Sequence, residues 1–171
     1  MSSVKIVVLG PAAVGKTAIT IRLVNRTFRS QYDPTIEDCF RTTRSVEGTE
    51  VCLEIYMTIG NGFIIVYSIT NHATFYECDQ TVDLLLKIRG KDAPWVLVGN
   101  KVDLETERQV TKEEATAYAQ QKGAICLYET SAKNNINIED AFITLTSKYL
   151  ATRNTRKGSA SVKDKKQCLL L

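Results

Sequence analysis

Residues 4–17 read VKIVVLGPAAVGKT, and this stretch decides the fold. The run Val4–Leu9 is short and rich in β-branched residues, the pattern of a buried strand rather than of a helix. The octet that follows, Gly10-Pro11-Ala12-Ala13-Val14-Gly15-Lys16-Thr17, has the spacing G-x-x-x-x-G-K-[ST] of a phosphate-binding loop. Its glycines let the backbone curl so that successive N–H groups point at phosphate oxygens. Lys16 adds a full positive charge, and the hydroxyl of Thr17 suits Mg²⁺. Val14, Ala18, Ile21, Val24 and Phe28 recur at helical spacing. The spacing predicts a helix whose positive dipole end faces the same anion.

Further along, strand-like and helix-like stretches alternate. Gln31–Asp38 is polar, contains Pro34 and reads as a loop. Cys39–Val46 and Glu50–Tyr56 read as strands joined through Glu47-Gly48-Thr49, a hairpin signal. Phe63–Ile69, Trp95–Val98 and Ile125–Tyr128 are further strands. A helix is expected over Thr74–Arg89, ending at Gly90. A capping box at Thr111–Glu114 opens another that stops at Gly123. Asn137 caps a final helix with Ile138, Ala141, Phe142, Leu145 and Tyr149 on one face. The fold class is α/β of the P-loop NTPase type, a mostly parallel sheet covered by helices on both faces. Ligands in such sheets bind beyond the carboxyl ends of the strands, where the motifs fall.

The length of 171 residues fits one domain with a tail, divided at 1–150 and 151–171. No run approaches the ~18 apolar residues of a membrane span, and MSSVKIVV lacks a signal peptide's apolar stretch. Five scattered cysteines without metal-ligand spacing suggest a reduced, cytosolic chain. Residues 151–171 hold six Lys/Arg and one Asp, whereas the whole chain carries only +3. The basic character belongs to a flexible tail, so the expected partner is an anionic membrane surface rather than nucleic acid.

Asn100-Lys101-Val102-Asp103 follows the strand at Trp95–Val98. A carboxylate accepts two hydrogen bonds from adjacent N–H donors, and guanine offers such a pair where adenine does not. Asp103 is therefore the candidate guanine selector, with the Lys101 stem along the purine face. Thr130-Ser131-Ala132-Lys133, after the last strand, adds backbone N–H groups for the guanine carbonyl oxygen.

The phosphate loop, Tyr32-Asp33-Pro34-Thr35-Ile36-Glu37-Asp38, Asn-Lys-Val-Asp and Glu-Thr-Ser-Ala-Lys, in this order, resemble the Ras subfamily of small GTPases, from about Val4 to Leu150. The resemblance implies GTP or GDP as ligand with Mg²⁺, and slow GTP hydrolysis as activity. The nucleotide-binding residues it implies are Gly10, Ala12, Ala13, Val14, Gly15, Lys16, Thr17, Ala18, Phe28, Thr35, Asn100, Lys101, Asp103, Ser131, Ala132 and Lys133. Thr17 and Thr35 would ligate Mg²⁺, Lys16 and Thr35 would serve catalysis, and Phe28 would pack against the base. Tyr32, Asp33, Pro34, Thr35, Ile36, Glu37, Asp38, Cys39 and Phe40 would be read by effectors when GTP is bound. Ala12 stands where most Ras-like proteins carry Gly; by that resemblance its methyl group either crowds the arginine of an activating protein or, being small, is a harmless variant. The ending Cys168-Leu169-Leu170-Leu171 fits a prenylation motif at Cys168 favouring geranylgeranyl. With Lys163, Lys165 and Lys166 it supplies two anchoring signals, placing the chain on the cytoplasmic face of the plasma membrane or endomembranes.

One piece of the family pattern is missing. Members carry Asp-x-x-Gly-Gln and a short helix after the third strand, whereas here Leu53-Glu54-Ile55 runs straight into Tyr56-Met57-Thr58-Ile59-Gly60-Asn61-Gly62-Phe63. About fifteen residues are absent by this comparison. With them go an Asp supporting Mg²⁺ through water, a Gly holding the γ-phosphate and a Gln orienting the attacking water. Family topology requires the connection to cross the first strand and return along a strand, a diagonal of ~20–22 Å. About seven residues reach at most ~25 Å. Asn61-Gly62 between apolar runs signals a tight hairpin instead. Losing the helix is also expected to expose ~300 Å² of apolar sheet at a cost of roughly 7 kcal/mol. That is comparable with a domain's ~5–15 kcal/mol, of which bound nucleotide returns ~4. The expected function is a membrane-anchored GTP/GDP-binding signalling protein with impaired hydrolysis and weakened contacts to exchange factors and activating proteins. The alternatives are a non-cycling tethered module that titrates effectors or regulators, and a truncated splice form that folds poorly.

Overall fold

A computed structural model describes residues 2–28, 39–56 and 60–167, the last twelve as backbone only. Tyr32, Asp33, Pro34, Thr35, Ile36, Glu37, Asp38 and Cys168 lie outside the described residues, as do Met57, Thr58 and Ile59. The strands are β1 (Ser2–Leu9), β2 (Cys39–Val46), β3 (Thr49–Tyr56), β4 (Gly62–Ser68), β5 (Trp95–Asn100) and β6 (Leu127–Thr130). The α-helices are α1 (Lys16–Asn25), α2 (His72–Arg89), α3 (Lys112–Lys122) and α4 (Ile138–Gln167). The strands form one sheet in the order β2-β3-β1-β4-β5-β6, antiparallel only between β2 and β3. The expected parallel α/β architecture is present.

Glu47 and Gly48, at φ 50° and 76°, turn β2 into β3 with Val46 opposite Thr49. Two left-handed residues give the turn that matches strand twist, as Glu-Gly signalled. Helix α2 starts earlier than its spacing suggested, because Asn71 accepts the amide of Ala73 at 3.0 Å and caps it at His72. Thr111 accepts the Glu114 amide, but Glu114's carboxylate bonds His72 at 3.1 Å, so the reciprocal half of the expected capping box goes elsewhere. Asn137 precedes α4 but donates its side-chain amide to the Glu129 carbonyl at 2.9 Å, bracing β6. The backbone of α4 stays helical across 151–167, the stretch read from sequence as a flexible tail.

Two apolar layers sandwich the sheet. Val4, Ile6 and Val8 of β1 face α1 and α4, meeting Ile19, Leu23, Phe142 and Leu145. Val7 faces the opposite side with Phe63, Ile65, Tyr67 and the buried residues of α2 and α3. The buried face of α1 is Ile19, Thr20 and Leu23 rather than one centred on Ile21. Val14 and Phe28 lie outside the helix, so a helical period drawn through them rotates the face.

The β3–β4 connection keeps the family topology and overrides the hairpin signal at Asn61-Gly62. Strand β3 ends with Tyr56 beside Val7, and β4 starts with Gly62 beside Ile6, both parallel to β1. The two ends are thus staggered, and the chain crosses only two inter-strand gaps, ~10 Å, without the expected return along a strand. Five residues suffice for that span. Every residue of β4 is buried, so this run needs neighbours on both edges and both faces, which only the place between β1 and β5 supplies.

The expected apolar exposure of the sheet is not what the structure shows. Beyond Val7, the face shared by β1 and β3 carries Ser3, Lys5, Cys52, Glu54 and Tyr56. Ser3 and Tyr56 hydroxyls donate to the Glu54 carboxylate at 3.0 and 2.8 Å, and the Lys5 ammonium lies 5.4 Å from the Tyr56 ring centre. This self-satisfied polar surface tolerates water, so only one face of β2 and β3 needs a helical cover. The most exposed large apolar side chains among the described residues are on α2, at Tyr76, Leu84 and Ile88, with Phe28 and Ile136 less so.

Candidate nucleotide-binding site

At the carboxyl end of β1 the chain turns through left-handed backbone at Ala13 (φ 61°) and Gly15 (φ 97°) before α1 begins at Lys16. A Cβ at Gly15 would collide with Asn100 Nδ2, and one at Gly10 with the Val66 carbonyl oxygen. Both glycines are therefore required by sterics as well as by φ. The Lys16 ammonium reaches back across the loop to the Gly10 and Pro11 carbonyls at 2.9 and 2.5 Å. Burial pushes its pKa below the ordinary lysine range, an effect the Cys78 thiolate form would oppose. A partly desolvated ammonium at the amino end of a helix favours an anionic partner.

Asn100, at the carboxyl end of β5, donates to the Val14 carbonyl at 2.9 Å and accepts the Thr130 hydroxyl at 3.1 Å. It is buried, and its carboxamide joins the phosphate loop to β6. Lys101 takes left-handed backbone (φ 73°) and starts the 3₁₀ turn Val102–Glu107 that presents Asp103. Asp103 Oδ1 accepts the Ser131 hydroxyl at 2.5 Å, and Ser131 Oγ in turn accepts the Asn134 amide at 3.0 Å. Asp103 Oδ2 has no partner among the described residues, leaving an oriented acceptor on a half-buried carboxylate. The Asn100–Val14 hydrogen bond thus joins two sequence motifs 86 residues apart at the carboxyl ends of β1 and β5. A model of the Ras family matches residues 5–151.

The chain belongs to the Ras family. It is a GTP-binding small GTPase, and the family's nucleotide typically travels with Mg²⁺. Among the described residues no group of three His, Cys, Asp or Glu side chains could hold a metal alone. Thr17, a hydroxyl at the first turn of α1 beside Lys16, is of the oxygen-donor type that would suit Mg²⁺. Bound there, Mg²⁺ would offset the charge of the phosphate groups. Gly10, Ala12, Ala13, Val14, Gly15, Lys16, Thr17 and Ala18 lie on the loop and first turn of α1. Ser131, Ala132 and Lys133 lie beyond β6, and Phe28, beyond α1, is exposed. Cys39 and Phe40 begin β2, where Phe40 packs against the α1–α4 layer and Cys39 shares the opposite face with Tyr56.

Sequence reasoning missed two arginines that brace the segments carrying Asp103 and residues 131–133 of this GTPase. Arg108 donates to Glu105 at 2.7 Å from two nitrogens and to Glu129 at 2.6 and 3.1 Å. It locks the 3₁₀ turn behind Asp103 to β6, and its own pKa is raised by those carboxylates. Arg22 bonds carbonyls of the loop after Ser131. Glu105-x-x-Arg108 is a short-range pair that the sequence could have shown, whereas no local spacing marks the contacts of Arg22 to residues 132 and 133. A cavity of about 510 Å³ lined by Gly60, Phe63, Arg89, Pro94, Tyr149 and Arg153 lies at the opposite, amino end of β4 and β5. The phosphate-loop and Asn-Lys-x-Asp motifs lie at the other end, beyond the carboxyl ends of β1 and β5, where ligands bind in sheets of this kind.

Proposed function

We propose that this Ras-family chain is a guanine-nucleotide-binding protein tethered to membranes, and that it hydrolyses GTP slowly and switches poorly. In this reading Lys16 and the loop amides hold the β- and γ-phosphates, Thr17 and Thr35 ligate Mg²⁺, Phe28 and Lys101 flank the base, and Asp103 selects guanine. Residues 32–40 meet effectors. Cys168 carries a prenyl chain that, with the basic tail, anchors the protein on the cytoplasmic face of the plasma membrane or endomembranes.

The observation that carries the hydrolysis part is the five-residue crossover between Tyr56 and Gly62. Its sequence, Met-Thr-Ile-Gly-Asn, contains neither a carboxylate nor a glutamine. Asn61 is already engaged with the backbone of Lys5. The family resemblance assigns to the absent segment the groups that sense the γ-phosphate and orient the attacking water, so a chain without it binds nucleotide better than it uses it.

Thermal melting of the full chain with Mg²⁺ and either GDP or ADP tests the binding part. A rise in Tm with GDP and none with ADP is expected; no rise with GDP overturns it. The same crossover favours a tethered module that binds partners whichever nucleotide is loaded. Partner capture by GDP- and GTP-analogue-loaded protein tests that: a strong GTP preference excludes it.

A further inference from the structure

We infer that Arg22 is a positioning residue for guanine recognition, fastening with one guanidinium the end of α1 to the loop after Ser131. The inference rests on the reading of Asp103 and residues 131–133 as the base wall. Arg22 Nε donates to the Ala132 carbonyl at 2.8 Å, Nη2 to the Lys133 carbonyl at 2.5 Å, and Nη1 to the Arg26 carbonyl at 2.9 Å. Arg26 is the left-handed C-cap of α1 (φ 58°), and the chain continues from it to Phe28. All three nitrogens of one rigid fork are spent on backbone oxygens. Among the described residues Arg22 has no ion-pair partner.

The consequence follows from peptide planarity. The Lys133 carbonyl and the Asn134 N–H belong to one plane, so fixing the oxygen aims the N–H. That N–H donates to Ser131 Oγ at 3.0 Å, and Ser131 donates to Asp103 Oδ1 at 2.5 Å. A continuous chain of hydrogen bonds therefore runs from Arg22 through one peptide and one hydroxyl to the selecting carboxylate. The Ala132 carbonyl likewise orients the following peptide in the loop expected to meet the guanine 6-oxygen. Lysine keeps the charge but not the fork, and glutamine or alanine keeps neither.

The test compares the full chain and its Arg22→Lys, Arg22→Gln and Arg22→Ala variants in Mg²⁺. Each is titrated with GDP, with inosine diphosphate, which lacks the 2-amino group, and with 2-aminopurine riboside diphosphate, which lacks the 6-oxygen. Wild type should prefer GDP over both. Arg22→Ala and Arg22→Gln should lose about tenfold of that preference, with Arg22→Lys between. Equal weakening toward all three nucleotides, leaving the ratios intact, means a merely structural role and overturns the inference. So do unchanged ratios with unchanged affinities. Wild type without any preference overturns the guanine reading itself, and the inference with it. Should Arg22→Ala fail to fold, the ratios of the Lys and Gln variants decide.

Discussion

Asn61 pairs with Lys5 as a neighbouring strand residue would. Its amide donates to the Lys5 carbonyl at 2.6 Å, and its side-chain oxygen accepts the Lys5 amide at 3.1 Å. A side chain thus supplies one half of a ladder rung, and the chain passes from one side of β1 to the other without leaving the β1 backbone unpaired at this point. The crossover works because β4 begins where β3 ends.

That geometry makes the crossover sensitive to small changes. A Cβ at Gly60 would stand 2.5 Å from Val7 Cγ2 and 2.9 Å from the Lys5 carbonyl oxygen. Gly60→Ala should destabilise the GDP-bound protein by about 1–3 kcal/mol through overpacking. Asn61→Ala should cost about 1 kcal/mol through the lost rung. Urea unfolding at saturating GDP checks both, and midpoints equal to wild type would show that the crossover carries no structural burden.

Gly15→Ala combines a left-handed φ with a collision against the Asn100 carboxamide, which is itself tied to Val14 and Thr130. Relief would require breaking the link between the phosphate loop and β6. The variant should elute from gel filtration without the nucleotide that the wild type retains.

Asp103→Asn replaces one acceptor oxygen with a donor. Xanthine carries a carbonyl oxygen where guanine carries its 2-amino group, so the variant should favour xanthosine diphosphate over GDP. Ser131→Ala keeps the carboxylate but frees its Oδ1, and should weaken GDP less than Asp103→Asn does. Competition between the two nucleotides measures each ratio.

The legible parts of the sequence were those with local signals. The Glu47-Gly48 turn read correctly from adjacent residues, and the phosphate-loop and Asn-Lys-x-Asp spacings are likewise visible within a few residues. Asn61-Gly62 misled for the same reason: its hairpin chemistry is local, while the burial of β4 on both faces is a property of the whole sheet. The α1 face was misjudged by counting from Val14, which belongs to the loop. The long-range contacts of Arg22 and Arg108 were invisible because those partners lie 110 and 21 residues away, and for Arg22 they are backbone carbonyls, which every residue has. The Glu105–Arg108 pair at three-residue spacing was legible and overlooked.

On the acid side, Lys122 holds the Asp79 carboxyl below its usual range by a 2.6 Å ion pair, opposed by burial and aided by the Tyr118 hydroxyl. A carboxylate whose pKa is depressed by folding stabilises above its unfolded pKa, near 4, and loses that contribution as pH falls through the folded value. Lys122→Met should therefore lower stability at pH 7 more than at pH 3. Denaturation midpoints at the two pH values check the sign. The effect is small because Asp79 is solvent-exposed enough to be screened.

The central claim is that the chain keeps the cradle for guanosine and the inner phosphates but lacks the groups that bring water to the γ-phosphate. Single-turnover hydrolysis by GTP-loaded protein in Mg²⁺, beside a Ras-family GTPase that has the Asp-x-x-Gly-Gln segment, tests it most directly. The account predicts tight GTP retention with phosphate release about a hundredfold slower than in the reference enzyme. Release at the reference rate would contradict it.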